Sequence, residues 1–239
     1  MDNTRLESIR DGILETQRRI EAACKRSGRN PSDVTLIAVS KTMPVEDLRA
    51  AMECKIIEFG ENKPQELRDK QAEITEPLHW HMIGALQTNK LKYVVGKTVR
   101  IHSVDSVHLA QAIEEESAKK QVISDILLEV NVAAEESKHG FCPQELIEAV
   151  TTVSAFPHVK IRGLMTVAPY TDNPEENRKY FRKMKELMVD INSKNIDNVV
   201  MSELSMGMTG DFEVAVEEGS TYVRVGTGIF GHRDYSNKK

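Results

Sequence analysis

Apolar runs alternate with helix-patterned segments along this chain. The run Thr35–Val39 is apolar or β-branched throughout, which is typical of a strand buried on both faces of a parallel sheet. Ser40 and Lys41 follow it, so a lysine stands where the strand should leave the core. An ammonium there must reach solvent, find a counter-charge or perform amine chemistry. From this stretch alone, a solvated lysine just past a strand end is the simpler interpretation.

Seven further segments have the same strand-like character. They are residues 56–60, 78–83, 99–103, 126–132, 159–166, 199–205 and 221–225. Helical spacing of apolar residues separates them and also precedes the first strand. These segments are residues 6–23, a helix that opens at Pro44, and residues 64–74, 88–95, 107–120, 143–156, 174–193 and 211–218. The pattern predicts eight strands, each separated from the next by a helix.

Eight such units in one chain predict a closed parallel barrel. No internal repeat, low-complexity stretch or Gly/Ser linker marks a boundary, so we expect one domain over residues 1–239. The predicted fold is a single (β/α)8 TIM barrel with an extra N-terminal helix. The alternative is an open doubly wound sheet, which usually has fewer strands and binds ligands where the strand order reverses.

Composition limits the kinds of binding partner and the cellular compartment that we expect for this protein. The 239 residues carry a formal charge of -5, which argues against nucleic acid or an anionic membrane as the main partner. Cys24, Cys54 and Cys142 lie far apart, which suits a reducing compartment better than a disulfide framework. The sequence has no signal-peptide core and no membrane-spanning run. We therefore expect a soluble, cytoplasmic protein. Because one domain without an obvious surplus of amphipathic surface is predicted, we also expect a monomer.

Two glycine- and hydroxyl-bearing loops stand at the ends of the last two strands. Residues 205–211 read Ser-Met-Gly-Met-Thr-Gly-Asp, and residues 226–231 read Gly-Thr-Gly-Ile-Phe-Gly. Loops after strands seven and eight commonly bind phosphate in this fold, because glycine lets backbone amides approach an anion closely. Glycines that merely form tight turns are the alternative. The presence of two such loops favours a phosphate site.

Arg224 is the second candidate binding group. It precedes Gly226 by two residues in the predicted strand, so it should point into the barrel. A buried arginine stays charged and needs an acceptor, such as a carboxylate or a ligand ring nitrogen. A structural ion pair with Glu129 or Glu203 is an equally good interpretation of the pattern.

A phosphate site, an inward arginine and a lysine after strand one together suggest pyridoxal 5'-phosphate (PLP). Proteins bind PLP through a lysine Schiff base, with an aspartate or arginine at the pyridine nitrogen. An arginine in that position disfavours protonation of the ring, which makes the cofactor a weaker electron sink.

Several motifs carry a specific resemblance. They are Ala-Val-Ser-Lys-Thr at 38–42, Phe-Gly-Glu-Asn at 59–62, Trp-His-Met-Ile-Gly-Ala-Leu-Gln-Thr-Asn-Lys at 80–90, Arg-Gly-Leu-Met at 162–165, Leu-Ser-Met-Gly-Met at 204–208 and Val-Arg-Val-Gly at 223–226. In order and spacing, from about residue 34 to 235, the chain resembles the pyridoxal phosphate homeostasis protein family. That family is similar to the N-terminal barrel of alanine racemases.

The resemblance implies roles for individual residues. Lys41 forms the Schiff base and Arg224 faces the pyridine nitrogen. Asn62 lies beside the cofactor and Met165 lines the site. The residues that it implies at the phosphate are Ser205, Met206, Gly207, Gly226 and Thr227. The chain differs from the pattern of this family at two positions, and both differences are mild. Thr209 stands where the family often has serine but keeps the hydroxyl, and Met82 replaces a common aromatic residue.

The resemblance further implies a non-catalytic protein that holds PLP and supplies or buffers it for apo-enzymes. A PLP-dependent amino-acid racemase is the alternative, but it needs a second base, and Tyr170 is the only tyrosine expected near the rim. A phosphosugar enzyme would use the phosphate loops but would leave Lys41 and Arg224 unexplained. His79 and His81 share a strand face, yet no further ligand completes a metal set, so we predict no metal site.

Overall fold

The strands close into a barrel in the computed structural model, which describes residues 3–135 and 138–231. All eight strands are parallel, and each pairs with the next along the chain. Pairing of the first strand with the last, from Thr35 beside Tyr222 to Ala38 beside Val225, closes the ring. The strands are β1 Thr35–Val39, β2 Glu58–Glu61, β3 His79–Met82, β4 Arg100–Val104, β5 Ser124–Glu129, β6 Val159–Met165, β7 Glu203–Met208 and β8 Tyr222–Val225.

Helices occupy most of the crossovers and surround the strands. They are α1 Asn3–Ser27, α2 Val45–Glu53, α3 Pro64–Glu73, α4 Val107–Lys120, α5 Leu146–Ser154, α6 Arg178–Ser193, α7 Phe212–Glu217 and α8 Thr227–Phe230. Helix α1 precedes the barrel and packs against α7 and α8. The prediction of a (β/α)8 barrel is confirmed, and the open sheet is excluded by the pairing of β1 with β8.

Apolar side chains fill the layer between strands and helices. Leu48, Leu67, Ile113 and Phe181 from the surrounding helices are fully buried there. Polar side chains occur inside the ring itself, where His102 of β4 contacts Ser205 of β7 on the far side. Within the described part of the chain, no helix is both long and apolar enough to cross a membrane.

Some element boundaries differ from the sequence prediction. Strand β7 begins at Glu203 instead of residue 199, because both backbone polar groups of Met201 bond to the Asn192 side chain of α6. The segment Thr88–Tyr93 is a 3₁₀ helix where an α-helix is expected. The helix expected over 174–193 starts with a 3₁₀ turn, Pro174–Asn177, before α6.

Candidate functional site

A cavity of about 390 Å³ opens at the C-terminal ends of the strands. This is the end at which TIM barrels carry their active sites, and the volume is typical of a small-molecule site. Its lining residues are Val39, Lys41, Asn62, Ile83, Val167, Met208, Thr209, Gly210, Arg224, Gly226 and Thr227. Lys41, Asn62, Arg224, Gly226 and Thr227 are thus brought together as lining residues.

Lys41 stands in a turn directly after β1, and it is half-buried. Ser40, before it, is fully buried and donates from its hydroxyl to Glu61 Oε1 over 2.7 Å. Thr42, after it, has a left-handed backbone with φ of 65°, which is unusual for a β-branched residue. The backbone N–H of Thr42 donates to the Glu66 carboxylate. Bonds on both sides therefore hold the turn that carries Lys41 at the cavity.

Arg224 enters the cavity from inside the barrel and is only 4% exposed. Its Nη1 donates to Ser205 Oγ over 2.6 Å, and its Nη2 donates to the Thr166 carbonyl over 2.7 Å. Burial lowers the pKa of Arg224 to about 10, so the guanidinium is cationic at neutral pH. The ion pair considered with Glu203 does not form, since that carboxylate binds Arg100 at 2.6 Å.

The other considered partner, Glu129, affects Arg224 only through charge. Burial raises the pKa of Glu129, and the positive charge of Arg224 opposes that rise. The guanidinium of Arg224 therefore donates to two uncharged oxygens, the Ser205 hydroxyl and the Thr166 carbonyl. Within residues 3–135 and 138–231, no carboxylate forms a hydrogen bond with this guanidinium, so its remaining N–H groups can bind an acceptor atom of a ligand.

The loops after β7 and β8 approach each other across the cavity wall. Thr209 Oγ1 accepts a hydrogen bond of 3.3 Å from the backbone N–H of Gly228. Asp211 braces the first loop, because its Oδ1 accepts from the Met208 N–H over 2.7 Å and its Oδ2 accepts from Asn177 Nδ2 over 2.8 Å. A Cβ on Gly210 would meet no atom of the described residues within 4 Å.

Four predicted site residues lie outside the cavity lining. Ser205 is fully buried beneath the cavity, with its hydroxyl between Arg224 and His102. Met206 belongs to the apolar core, and Met165 of β6 is 1% exposed beside Ser205. Gly207 has φ of +88°, and a Cβ there would lie 2.6 Å from Ala215 Cβ. Contacts of these four residues with a ligand stay predictions.

The sequence prediction gave no supporting role to a set of interior residues, of which it considered His81 only as a metal ligand. Thr166 accepts from Arg224, while His81 and His102 continue a hydrogen-bonded chain from Ser205. The sequence feature that could have indicated this role is the position of each histidine in a short buried strand, where alternation directs its side chain into the barrel. The contacts between these polar side chains depend on how the strands are arranged around the barrel. The pattern of a single strand does not predict that arrangement.

The histidines considered as metal ligands contact a carboxylate instead. His79 Nδ1 lies 2.7 Å from Glu58 Oε1, and His81 Nε2 lies 2.7 Å from Glu58 Oε2. Over residues 3–135 and 138–231, no group of three or more histidine, cysteine, aspartate or glutamate side chains is arranged to hold a metal ion.

Comparisons with known proteins agree with this geometry. The family model of the alanine racemase N-terminal domain matches residues 16–234. A pyridoxal phosphate homeostasis protein of Aquifex aeolicus is 46% identical over 218 residues, covering 91% of this chain and 95% of that protein. The crystal structure of an unknown protein from Bifidobacterium adolescentis has a TM-score of 0.89 at 33% identity, covering 96% of this chain and 97% of that chain.

A structure with bound ligand is also similar. PipY of Synechococcus elongatus, solved with PLP bound, has a TM-score of 0.78 at 35% identity, covering 90% of this chain and 99% of that chain. These matches confirm the resemblance drawn from the sequence motifs. The chain belongs to the alanine racemase N-terminal domain family and, within it, to the pyridoxal phosphate homeostasis proteins.

Proposed function

We propose that this protein binds PLP in the cavity as a Schiff base on Lys41 and maintains the intracellular supply of PLP. It acts as a monomeric, non-catalytic carrier that buffers the cofactor or passes it to apo-enzymes. The observation that carries the proposal is the convergence of Lys41, Arg224 and the two glycine-bearing loops on one cavity. Relatives named for PLP homeostasis, and PipY solved with PLP, support the same conclusion.

The chemistry of the cavity wall fits each part of PLP. Lys41 supplies a primary amine for the aldehyde, and Arg224 supplies N–H donors for the pyridine nitrogen. Thr209 and Thr227 supply hydroxyls for the phosphate, with the backbone of Gly210 and Gly226 beside them. When bound, PLP supplies an aldehyde carbon that combines reversibly with primary amines.

The residues of this chain would control that chemistry in two ways. The cationic guanidinium of Arg224 donates to the ring nitrogen and keeps a proton away from it, because an arginine has no acceptor to share. The half-buried position of Lys41 keeps its amine within the cavity mouth, where a bound aldehyde is shielded from other amines. Both effects favour storage of the cofactor over turnover of amino acids.

The rim supports a non-catalytic role. Racemisation needs a base on each side of the substrate carbon, and Lys41 is one such group. Tyr170 is 91% exposed, and its hydroxyl donates to Asp172 Oδ1 over 2.9 Å. This hydrogen bond raises the pKa of the Tyr170 phenol, which makes the phenolate base scarcer at neutral pH. Tyr170 is therefore a poor second base.

An absorption spectrum of the purified protein tests the proposal. We expect the wild-type protein incubated with PLP and desalted to be yellow, and Lys41→Ala to lose the Schiff-base band. Lys63→Ala is the matched control, because Lys63 is exposed near the same rim and should retain the band. A colourless wild-type protein would contradict the proposal and favour a phosphosugar enzyme.

Incubation with L-alanine and other L-amino acids distinguishes a carrier from a racemase. We expect no D-isomer above the background seen with free PLP. Formation of D-isomers at a rate abolished by Lys41→Ala would establish the racemase alternative.

A further inference from the structure

A chain of hydrogen bonds crosses the barrel interior and ends at Arg224. From the cavity inward, Arg224 Nη1 donates to Ser205 Oγ over 2.6 Å, and Ser205 Oγ lies 2.8 Å from His102 Nδ1. His102 Nε2 lies 2.9 Å from His81 Nδ1, and His81 Nε2 lies 2.7 Å from Glu58 Oε2. The chain joins a cation at the cavity to a carboxylate at the N-terminal end of β2.

When both imidazoles are neutral and Glu58 is ionised, one direction of donation gives a partner to each donor and acceptor atom that forms the chain. A guanidinium only donates, so Ser205 Oγ accepts from Arg224 and is free to donate its own proton to His102 Nδ1. A neutral imidazole that accepts at Nδ1 carries its proton on Nε2, so His102 donates to His81. His81 in turn donates to Glu58. Donation therefore runs from Arg224 to Glu58 without interruption.

The electrostatic surroundings favour these protonation states. Burial lowers the pKa of His102 well below its usual range, and the nearby positive charge of Arg224 acts in the same direction. Burial also lowers the pKa of His81, although its bond to Glu58 opposes the effect. Burial opposes ionisation of Glu58, but its hydrogen bonds with His81 and His79 outweigh burial and lower its pKa.

Besides Glu58, the described groups that act on the two imidazoles include a tyrosine ring and an arginine. Tyr222 of β8 packs edge-on against His81 and His102, with ring centroids 5.5 Å apart in both cases. Burial raises the pKa of the Tyr222 phenol, so it is neutral. Arg100 of β4 places a further positive charge nearby, which disfavours protonation of both histidines.

We propose that Ser205, His102 and His81 are positioning residues for Arg224. Their one-way chain, together with the Thr166 carbonyl, orients the guanidinium so that its remaining N–H donors serve the cavity. The ligand atom that these donors would meet is the pyridine nitrogen of PLP, and in this respect the inference rests on the proposed function. The direction of the chain itself does not depend on any ligand.

Histidine tautomers give a test without ligand. In ¹⁵N-labelled protein, long-range ¹H–¹⁵N correlation spectra distinguish protonated from unprotonated ring nitrogens, and the signals are assigned by contacts with the Tyr222 ring. We expect His81 and His102 each to carry one proton, on Nε2, unchanged between pH 8 and pH 6. A proton on Nδ1 of either ring, or a doubly protonated ring at pH 7, would overturn the proposal.

Affinity for PLP tests the positioning role. His102→Phe keeps a ring of similar shape but removes both nitrogens, so Arg224 loses the chain behind Ser205. We expect the Kd for PLP to rise about five- to tenfold, in line with the loss of one buried hydrogen-bond contribution. His108→Phe on the exposed face of α4 is the matched control and should leave the Kd unchanged.

The outcomes separate the two proposals. Wild-type protein that does not bind PLP would defeat the proposed function, whatever the tautomers are. Wild-type protein that binds PLP, with His102→Phe binding equally well and folded by circular dichroism, would defeat only the positioning role.

Discussion

At the scale of single residues, the turn that carries Lys41 depends on a buried charge cluster below it. Lys70 Nζ donates to the Ser40 carbonyl and to Glu61 Oε1, each over 2.6 Å, and to Glu66 Oε1 over 2.8 Å. Glu61 is fully buried, and its Oε2 has no hydrogen-bond partner among the residues that the structure describes. Burial raises the pKa of Glu61, and Lys70 opposes that rise. The ammonium of Lys70 thus stabilises both the carboxylate and the backbone next to Lys41.

Lys70→Met should therefore destabilise the protein strongly. Removing one partner of a buried pair leaves an uncompensated charge, which costs about 3–5 kcal/mol in the free energy of unfolding. Denaturant unfolding of Lys70→Met against Lys63→Met, an exposed lysine, measures the difference. A cost below about 1 kcal/mol, as for a surface pair, would contradict this role.

The interior histidines predict how stability depends on pH. In the unfolded chain a histidine takes up a proton near pH 6.5, whereas burial keeps His81 and His102 neutral in the folded protein. The unfolded state then binds more protons, so this stability is present above pH 6.5 and is lost as the pH falls below it. The slope that each histidine contributes is about 0.7 kcal/mol per pH unit at pH 6.5 and approaches about 1.4 kcal/mol per pH unit at lower pH.

The variant His102→Phe measures the contribution of His102 to the pH dependence of the free energy of unfolding. Between pH 6.5 and pH 5.5, the free energy of unfolding of the variant should fall less than that of the wild type, by about 1 kcal/mol, because the unfolded histidine is only half protonated at pH 6.5. The buried glutamates with raised pKa values, Glu61 and Glu129, act in the opposite sense but cancel in the comparison. Parallel pH profiles would show that His102 is charged in the folded protein.

At the scale of elements, helix α1 supports the loop that follows β8. Gly12 of α1 packs so closely that a Cβ there would lie 2.6 Å from the Gly228 carbonyl oxygen and 2.9 Å from that of Ile229. Arg5 of α1 donates to the Phe230 carbonyl over 2.9 Å at the end of α8. The helix that precedes the barrel is thus part of the support of the cavity wall.

Gly12→Ala should displace α1 from α8. The backbone atoms that it meets cannot rotate away, so we expect a loss of about 1–3 kcal/mol in the free energy of unfolding, as for other overpacked sites, and weaker binding of PLP. Gln17→Ala, on the exposed face of α1, is the control. Unfolding at the same denaturant concentration in both variants would mean that α1 does not support this loop.

The alternation of patterns was sufficient to predict the barrel, but the boundaries depend on contacts between distant segments. Residues 199–201 are apolar like a strand, yet the Asn192 side chain binds Met201 and delays β7 until Glu203. Lys41 and the loops of the cavity follow from their positions at strand ends, and Arg224 follows from its inward position within the last strand. The direction of the Ser205 hydroxyl does not, because His102 reaches it from across the barrel.

At the scale of the whole molecule, an ion-pair network joins helix α1 to helices α6 and α7. Arg178 of α6 donates to Glu217 over 2.6 Å and to Glu218 over 2.9 Å. Arg26 of α1 donates to the same Glu217 over 2.6 Å. Hydrogen bonds with Glu175, Glu217 and Glu218 raise the pKa of Arg178 further above its usual range. The network holds α1, α6 and α7 together.

Arg178→Met should destabilise the protein in a salt-dependent manner. Because the side chain of Arg178 is 25% exposed, we expect a cost of about 1 kcal/mol at low ionic strength that shrinks in 1 M NaCl. Thermal unfolding at both salt concentrations measures it. Arg18→Met removes an exposed pair within α1 and should have no comparable effect. A cost independent of salt would indicate lost packing instead.

The position of the covalent bond tests the central claim most directly. Wild-type protein loaded with PLP is reduced with borohydride, digested and mapped by mass spectrometry. The account predicts the pyridoxyl group on the peptide that contains Lys41, with Lys63 and Lys70 unmodified. A pyridoxyl group on another lysine, or no stable adduct, would contradict it.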